Sequence, residues 1–246
     1  MASEEISLKN KIVLITGGTT GIGRATAVLL AKKGANVHIF GRSQSKLNDA
    51  LRDIEKAGGR ATGFSVDVSH IDELKKVFDH IDSEHGRIDV LINNAAVAVR
   101  SIIDTPIDDL KYSIEVNLSG YLYCAKFAAE RMLNQGEGHI INIGSMSATT
   151  KDSETDLYVA AKSGIQGFND SLRKLISEKC IKITLIEPGT VGTNMIDDPP
   201  EEQQQQENKL FMLKAEDIAD AILFSLTRPK RCDIVTIRLK PHRQNI

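Results

Sequence analysis

Ser145, Tyr158 and Lys162 bring a hydroxyl, a phenol and an amine into one short stretch of the chain. The tyrosine and the lysine stand four residues apart, and on a helix such positions lie one above the other on the same face. A free phenol titrates near pH 10, too high to exchange protons at neutral pH. A neighbouring cation favours phenolate and pulls that value down, which would make Tyr158 a usable acid or base. The chain holds 4 tyrosines, so one chance Tyr-x-x-x-Lys is expected in roughly a quarter of such chains. Tyr112, Tyr121 and Tyr123 have no lysine four residues on. The weight of the pair therefore comes from its surroundings.

Those surroundings alternate strand and helix. KIVLIT (11–16) is a short apolar run ending in the turn Gly17-Gly18-Thr19-Thr20-Gly21-Ile22-Gly23. RATAVLLAKKG then keeps helical spacing as far as a stop at Gly34. Strand, glycine turn and helix aim backbone N–H groups and a helix N-terminus at a phosphate. The Gly17-x-x-x-Gly21-x-Gly23 spacing departs from the common Gly-x-Gly-x-x-Gly pattern. The second strand, ANVHIF (35–40), ends in Gly41-Arg42-Ser43. Dinucleotide sites often carry an acid here for the ribose hydroxyls. Arg42 instead offers a guanidinium, which can grip a 2′-phosphate with paired hydrogen bonds. The reading is NADP(H) in preference to NAD(H).

SQSKLNDALRDIEKAGG reads as a helix and ATGFSV as a strand leading into Asp67-Val68. Strand carboxyl ends are where ligands gather in open parallel sheets. Ser69 is expected to cap the next helix. IDVLINN (88–94) runs into Asn93-Asn94-Ala95-Ala96, small enough at its end for a cofactor to approach the backbone. Thr105 as cap and Pro106 as first residue would open a long helical region through SIEVNLSGYLYCAKFAAERML. Within it Asn117 and Gly120 are locally unfavourable and mark a bend or a water-binding notch. HIINIG (139–144) puts Ser145 at a strand's carboxyl end, and CIKITLIEPG (180–189) ends in Pro188-Gly189. Residues 190–213 turn polar and acidic and are expected to form a mobile substrate lid. The helix AEDIADAILFSLTR and the strand CDIVTIRL follow. This alternation predicts one α/β domain over residues 1–246, with a doubly wound parallel sheet of about seven strands and helices on both faces.

Hydrophobic content of 41% with 26% charged residues suits a soluble globule with a sizeable core. A formal net charge of -2 argues against a nucleic-acid partner. No apolar run approaches the roughly 20 residues of a membrane helix, and the start MASEEISLKN lacks a secretory pattern. Cys124, Cys180 and Cys232 lie far apart without Cys-x-x-Cys, as expected of buried thiols in a reducing cytoplasm. The 6 histidines show no His-x-x-x-His spacing, so no metal is expected.

Taken together, the motifs resemble the short-chain dehydrogenase/reductase family over essentially the whole chain. They are TGGTTGIG (16–23), NNAA (93–96), Asn117 in VNLSG, Ser145 placed thirteen residues before Tyr158, Tyr158-x-x-x-Lys162 and PGTVGT (188–193). Ala96 stands where a glycine is frequent, and Gly144 where a serine is frequent. The resemblance implies a Rossmann-like fold and hydride transfer between nicotinamide C4 and an alcohol or carbonyl carbon. Carried over residue by residue, it implies that Tyr158 exchanges the alcohol proton while Lys162 lowers the phenol pKa and bonds the nicotinamide ribose. Ser145 would donate to the substrate oxygen, and Asn117 would hold a water that relays protons. Thr193 and the Val191 backbone would fix the carboxamide. Cofactor contacts are expected from Gly17, Thr19, Thr20, Gly21, Ile22, Gly23, Arg42, Ser43, Asp67, Val68, Asn94, Ala95, Ala96, Tyr158, Lys162, Pro188, Gly189, Val191 and Thr193.

The expected substrate is a small alcohol or carbonyl compound. The closing segment is similar to that of NADP-dependent 3-hydroxy acid and small-alcohol dehydrogenases; a hydroxy acid would need a cation such as Arg100 or Lys151. Two alternatives stay open. Reduction of an acyl-carrier-protein thioester is disfavoured by Asp197, Asp198, Glu201 and Glu202, which would repel an acidic carrier. A non-catalytic NADP(H)-binding sensor or scaffold is disfavoured because all four catalytic positions are present. The apolar helices around 106–135 and 154–178 suggest a homodimer or homotetramer, as in many family members.

Overall fold

In β1 (Ile12–Thr16) every residue is buried, and successive side chains point to opposite sides of the sheet. Val13 and Ile15 enter one core while Ile12 and Leu14 enter another. A strand apolar on both sides needs helices on both sides, and that requirement sets the architecture. The computed structural model describes residues 6–99, 101–151 and 153–245.

After β1 come α1 (Gly21–Lys32), β2 (Asn36–Gly41), α2 (Gln44–Lys56), β3 (Ala61–Ser65), α3 (Ile71–His85) and β4 (Val90–Asn93). Next are α4 (Ile107–Ile114), α5 (Gly120–Gln135), β5 (Gly138–Ile143), the single turn α6 (Ser147–Thr150) and α7 (Asp156–Ile176). β6 (Ile181–Pro188), α8 (Pro200–Asn208), α9 (Ala215–Thr227) and β7 (Thr236–Leu239) follow. Seven strands form one sheet in the order β3-β2-β1-β4-β5-β6-β7, every pair parallel. The doubly wound sheet with helices on both faces is thus the fold.

On one face Ala27, Leu30, Leu47, Ile54, Ile218 and Ile222 of α1, α2 and α9 cover the sheet. On the other, Leu74, Phe78 and Ile81 of α3 join Cys124, Ala128 and Met132 of α5. The strand order reverses between β1 and β4, so the connections leaving those two strands diverge and open a crevice at their carboxyl ends. Both ends of this pair are clamped. Buried Asp89 accepts from Ile12 N and Lys11 Nζ, each at 2.8 Å, at the amino end. Thr16 Oγ1 accepts from Asn94 N at 2.9 Å and Ala95 N at 3.0 Å at the carboxyl end.

Several local expectations give way to the structure. The cap of α3 is His70, because Ser69 N and Oγ both bond the Asp67 carboxylate, at 2.9 and 2.8 Å. Helix α4 starts at Ile107 with Pro106 as its cap, while Thr105 Oγ1 donates to Ser101 O at 2.8 Å. The long helix breaks in two at a π-turn, Glu115–Ser119, which inserts an extra residue where Asn117 sits. Only Cys124 is a buried thiol; Cys180 is exposed and Cys232 half-buried, all three free. Arg100 lies outside the described residues.

Phe78 is fully buried, edge-on to Phe40 and tilted against Phe127, with Arg131 over its face. Phe78→Ala is expected to cost about 3–5 kcal/mol and to lower Tm by roughly 2–4 °C for each kcal/mol lost. Thermal melting checks this, and an unchanged Tm would show that the α3 core tolerates the void.

Candidate active site

The crevice begins at the glycine turn. Gly17 has φ +66°, and a Cβ there would lie 2.8 Å from Ala95 Cα; a Cβ on Gly23 would lie 2.3 Å from Gly17 O. Side chains at these two positions would push the turn and the β4 connection apart, so the glycines let them touch. Asn94 Nδ2 ties the two by donating to Thr16 O at 3.0 Å and Gly17 O at 3.2 Å. Helix α1 then starts at Gly21 with Thr20 as cap. Thr20 makes no capping bond with its side chain, and no acid occupies the first turn. The first N–H groups of a helix lack intrahelical partners and attract anions. This end of α1 is therefore suited to a pyrophosphate.

A cleft of about 600 Å³ extends from here over Gly41, Arg42, Ser43 and Lys46 on one side, and Asp67, Val68 and Asn94–Ala96 on the other. A second cleft of about 480 Å³ holds Ser145, Tyr158, Lys162 and the Pro188–Val191 turn. Ile22, Asn94, Ala96, Ala98, Thr193 and Met195 line both, so the two form one continuous trough. An elongated dinucleotide fits this plan, with its phosphates at α1 and its nicotinamide end beside the hydroxyl residues.

At the far end Arg42 donates to Tyr112 Oη, its guanidinium 5.5 Å over that ring and 3.9 Å from Asp67 Oδ2. Tyr112 Oη donates in turn to Asp67 Oδ2 at 2.7 Å. Burial works to raise the Asp67 pKa, but bonds from Ser69 and Tyr112 and the charge of Arg42 outweigh it and hold it below the usual range. The Tyr112 phenol is pushed up to about 12 by burial and by its bond to that carboxylate.

At the near end Ser145 follows β5 through Gly144, and Tyr158 and Lys162 come from the first turns of α7. A Cβ on Gly144 would meet Leu185 at 3.0 Å and Glu187 at 3.2 Å, so side chains of β6 already fill the place of the frequent serine. Ser145 and Tyr158 line the same cleft, with Ser145 Oγ accepting from Ser147 N at 3.1 Å. The Lys162 ammonium lies 5.5 Å from the centre of the Tyr158 ring, but its bonds go elsewhere: to Tyr121 Oη at 3.1 Å and Ile143 O at 2.8 Å. Two expectations about charge reverse here. Burial drives the Tyr158 pKa above its usual value, with the Ser145 bond opposing it. Burial also pulls Lys162 down to about 7. Aimed at these other acceptors, the lysine makes no hydrogen bond to the phenol.

The structure brings Ser145, Tyr158, Lys162 and all the expected cofactor residues except Gly23 to the trough walls. Gly23 serves the turn behind the wall. Asn117 does not reach the trough: fully buried in the π-turn, it accepts from Val97 N at 2.9 Å and donates to Val97 O at 3.0 Å. Its amide braces the connection after β4 and is already committed. Lys151 lines neither cleft. Sequence reasoning missed Lys46, whose place in the first turn of α2 beside Arg42 was a readable signal. It also missed Tyr121 and Gln244, which nothing in the local sequence marks.

Residues 11–204 match the family model for short chain dehydrogenase. The chain belongs to this family. Short-chain dehydrogenases use nicotinamide cofactors and act on CH–OH or carbonyl groups, and the chain is an oxidoreductase of that kind. It is 32% identical over 235 residues to an uncharacterized oxidoreductase of Staphylococcus aureus strain MRSA252, covering 95% of this chain and 98% of that one. A counterpart in Staphylococcus saprophyticus is 29% identical, covering 96% and 99%. Among solved structures, a metagenomic short-chain oxidoreductase in complex with NADP is 27% identical with TM-score 0.83, covering 97% of this chain and 100% of that chain. A putative short-chain dehydrogenase/reductase from Burkholderia xenovorans shares the fold at TM-score 0.86 and 24% identity, covering 95% of this chain and 96% of that chain.

Lys162 also sets a pH dependence. Its pKa is about 7 folded against 10.5 for a free lysine. Between these values the unfolded chain holds a proton that the folded one does not, so stability rises with pH across the window. Below it, the buried cation opposes folding in full. The Tm of Lys162→Met relative to wild type is expected to be higher at pH 7 than at pH 10. A difference in Tm that does not change with pH would refute it.

Proposed function

We propose that this short-chain dehydrogenase is NADP(H)-dependent and interconverts a small, uncharged alcohol with its carbonyl compound. The observation that carries the reading is that Ser145, Tyr158 and Lys162 line one cleft, which is continuous with the cleft at the start of α1. When bound, the nicotinamide supplies or accepts the hydride. Ser145 donates a hydrogen bond to the substrate oxygen and stabilises negative charge developing there. Tyr158 gives or takes the proton at the same oxygen. An ammonium has three donors, and Tyr121 Oη and Ile143 O use two in Lys162. The third is the one we assign to the nicotinamide ribose; a ligand there would favour the charged lysine and so the Tyr158 phenolate. Asn117 holds the Val97 backbone against this wall, which leaves its own backbone to hold the relay water. Thr193 and Val191 are assigned to the carboxamide.

NADP(H) over NAD(H) rests on charge at the far end of the trough. Arg42 and Lys46 both line it, next to the N-terminus of α2, while Asp67, the one acid there among the described residues, is engaged by Tyr112 and Ser69. A 2′-phosphate would meet two cations and a helix dipole. For the substrate, the second cleft is walled by Val99, Met146, Met195 and Ile196 with hydroxyls of Thr150 and Thr155 among them. Lys162 is the one charged residue lining it among the described residues. That wall favours a neutral substrate over a hydroxy acid. The exposed first turn of α8, with Glu201 and Glu202, disfavours an acidic carrier protein.

We assign the lid role to residues 190–213. Its base is stitched by Val191 pairing with Leu213, with Gly192 N bonded to Leu213 O at 2.8 Å and Leu213 N to Thr190 O at 2.9 Å. Its helix α8 buries nothing, which suits a segment that opens. The exposed Ile103, Ile107 and Leu175 support a homo-oligomer, and the three free thiols suit a cytoplasmic setting. No helix among the described residues is long and apolar enough to cross a membrane.

Tyr158→Phe is expected to cut NADPH-linked turnover of a diketone or aldehyde by roughly 10²–10⁴-fold while NADPH affinity stays near wild type. Retention of more than about a tenth of the rate would remove Tyr158 as the proton donor. Arg42→Ala is expected to weaken NADPH far more than NADH in a binding titration. Equal losses for both cofactors would remove the phosphate role.

A further inference from the structure

His38 sits in β2 with only 2% of its surface exposed, and neither ring nitrogen has a hydrogen-bond partner. An imidazole always carries at least one N–H or lone pair that seeks a partner, and burying it unpaired is unfavourable. The His38 ring meets that of His85 edge-on, centroids 4.9 Å apart and planes at 64°, with Phe64 stacked at 6.1 Å. His85 closes α3, and its Nε2 is likewise buried and unpaired. Glu84, beside it, puts one carboxylate oxygen 3.6 Å from that Nε2 and the other 3.4 Å from His80 Nε2, one turn back. One ligand atom from each of His38, Glu84 and His85 lies within 4.8 Å of the other two.

We propose that His38, Glu84 and His85 bind a divalent transition-metal ion, zinc by the chemistry of the ligands, and that the ion pins the end of α3 to β2. Two imidazoles and a carboxylate suit zinc, whereas calcium and magnesium prefer all-oxygen shells. Zinc bonds of about 2.0–2.2 Å bring tetrahedral ligand atoms to roughly 3.3–3.6 Å apart, so the group must close by about an ångström. His38 is held by the core. The Glu84 and His85 side chains are 43% and 27% exposed, free both to supply that movement and to admit the ion. His80 orients the carboxylate from outside, as outer-shell partners do. Water fills the fourth position. The ion would give the buried nitrogen of His38 the partner it lacks. None of the three residues lines the trough, so the role is structural and separate from the hydride reaction. No His-x-x-x-His spacing announces the site because its ligands come from a strand and a distant helix end.

The test is calorimetric titration of the chelator-stripped full chain with zinc chloride, paired with thermal melting. One ion per chain and a higher Tm at saturating zinc are expected. His85→Ala and Glu84→Gln change the solvent end of α3 and are expected to fold normally. Each should weaken zinc by at least the roughly 10–100-fold that outer-shell changes cost and erase the rise in Tm, with turnover unchanged. His38→Phe, which keeps a ring in the stack, should abolish the site. With cobalt(II) as probe, the absence of a thiolate charge-transfer band is expected, since Cys180 and Cys232 take no part. No zinc uptake by the wild-type chain overturns the proposal. So does uptake that His85→Ala and Glu84→Gln leave intact, or a thiolate band.

Discussion

An amine buried to 1% exposure organises the reactive end of this molecule. Lys162 leaves α7, passes beside the Tyr158 ring and ends on Tyr121 Oη and Ile143 O, so one side chain joins α7, α5 and β5. Water would solvate the cation better than two neutral oxygens do, which is why burial pulls its pKa down to about 7. The same dryness raises both neighbouring phenols.

The trough itself comes from strand order. Because the chain winds outward from β1 to β3 and then restarts at β4, the two central strands send their connections to opposite sides. Asp89 at one end and Thr16 with Asn94 at the other hold those strands in register, so the crevice is a gap between fixed walls. The end of the trough at α1 is lined by a glycine turn and the far end by larger side chains. Glycines at 17 and 23 are demanded by contact distances in the turn, whereas Arg42, Lys46 and Tyr112 sit on elements that could carry other residues. The trough is built into the fold, whereas the charge at its far end is a property of a few side chains.

Much of this was readable in the residues. Strands buried on both faces appear as unbroken apolar runs, so KIVLIT and HIINIG declared themselves. Ser145 and Asp67 were placed at strand ends because the runs stop just before them. What stayed hidden depends on contacts between distant segments. Tyr121 looked idle, having no lysine one turn away, yet it holds Lys162 from another helix. The bonds that tie the Asn117 amide to the Val97 backbone across the π-turn are not visible in its spacing. Ser69 has the chemistry of a cap and spends it on Asp67. Spacing reveals that Tyr158 lies near a cation but says nothing about how dry both groups are, and burial works to raise the phenol here.

The pairing of Val191 with Leu213 has a consequence for how this enzyme could change its diet. The segment between them is tied to the body at its ends, by this pairing and by Arg243 N donating to Leu210 O, and its helix contributes nothing to either core. Lengthening such a loop adds little closure entropy. It behaves as an interchangeable cassette: drift, insertion or replacement there would reshape the mouth over Tyr158 while the sheet, the glycine turn and the lysine remain as they are. New substrates could then be reached by rewriting the cover without renegotiating the chemistry beneath it.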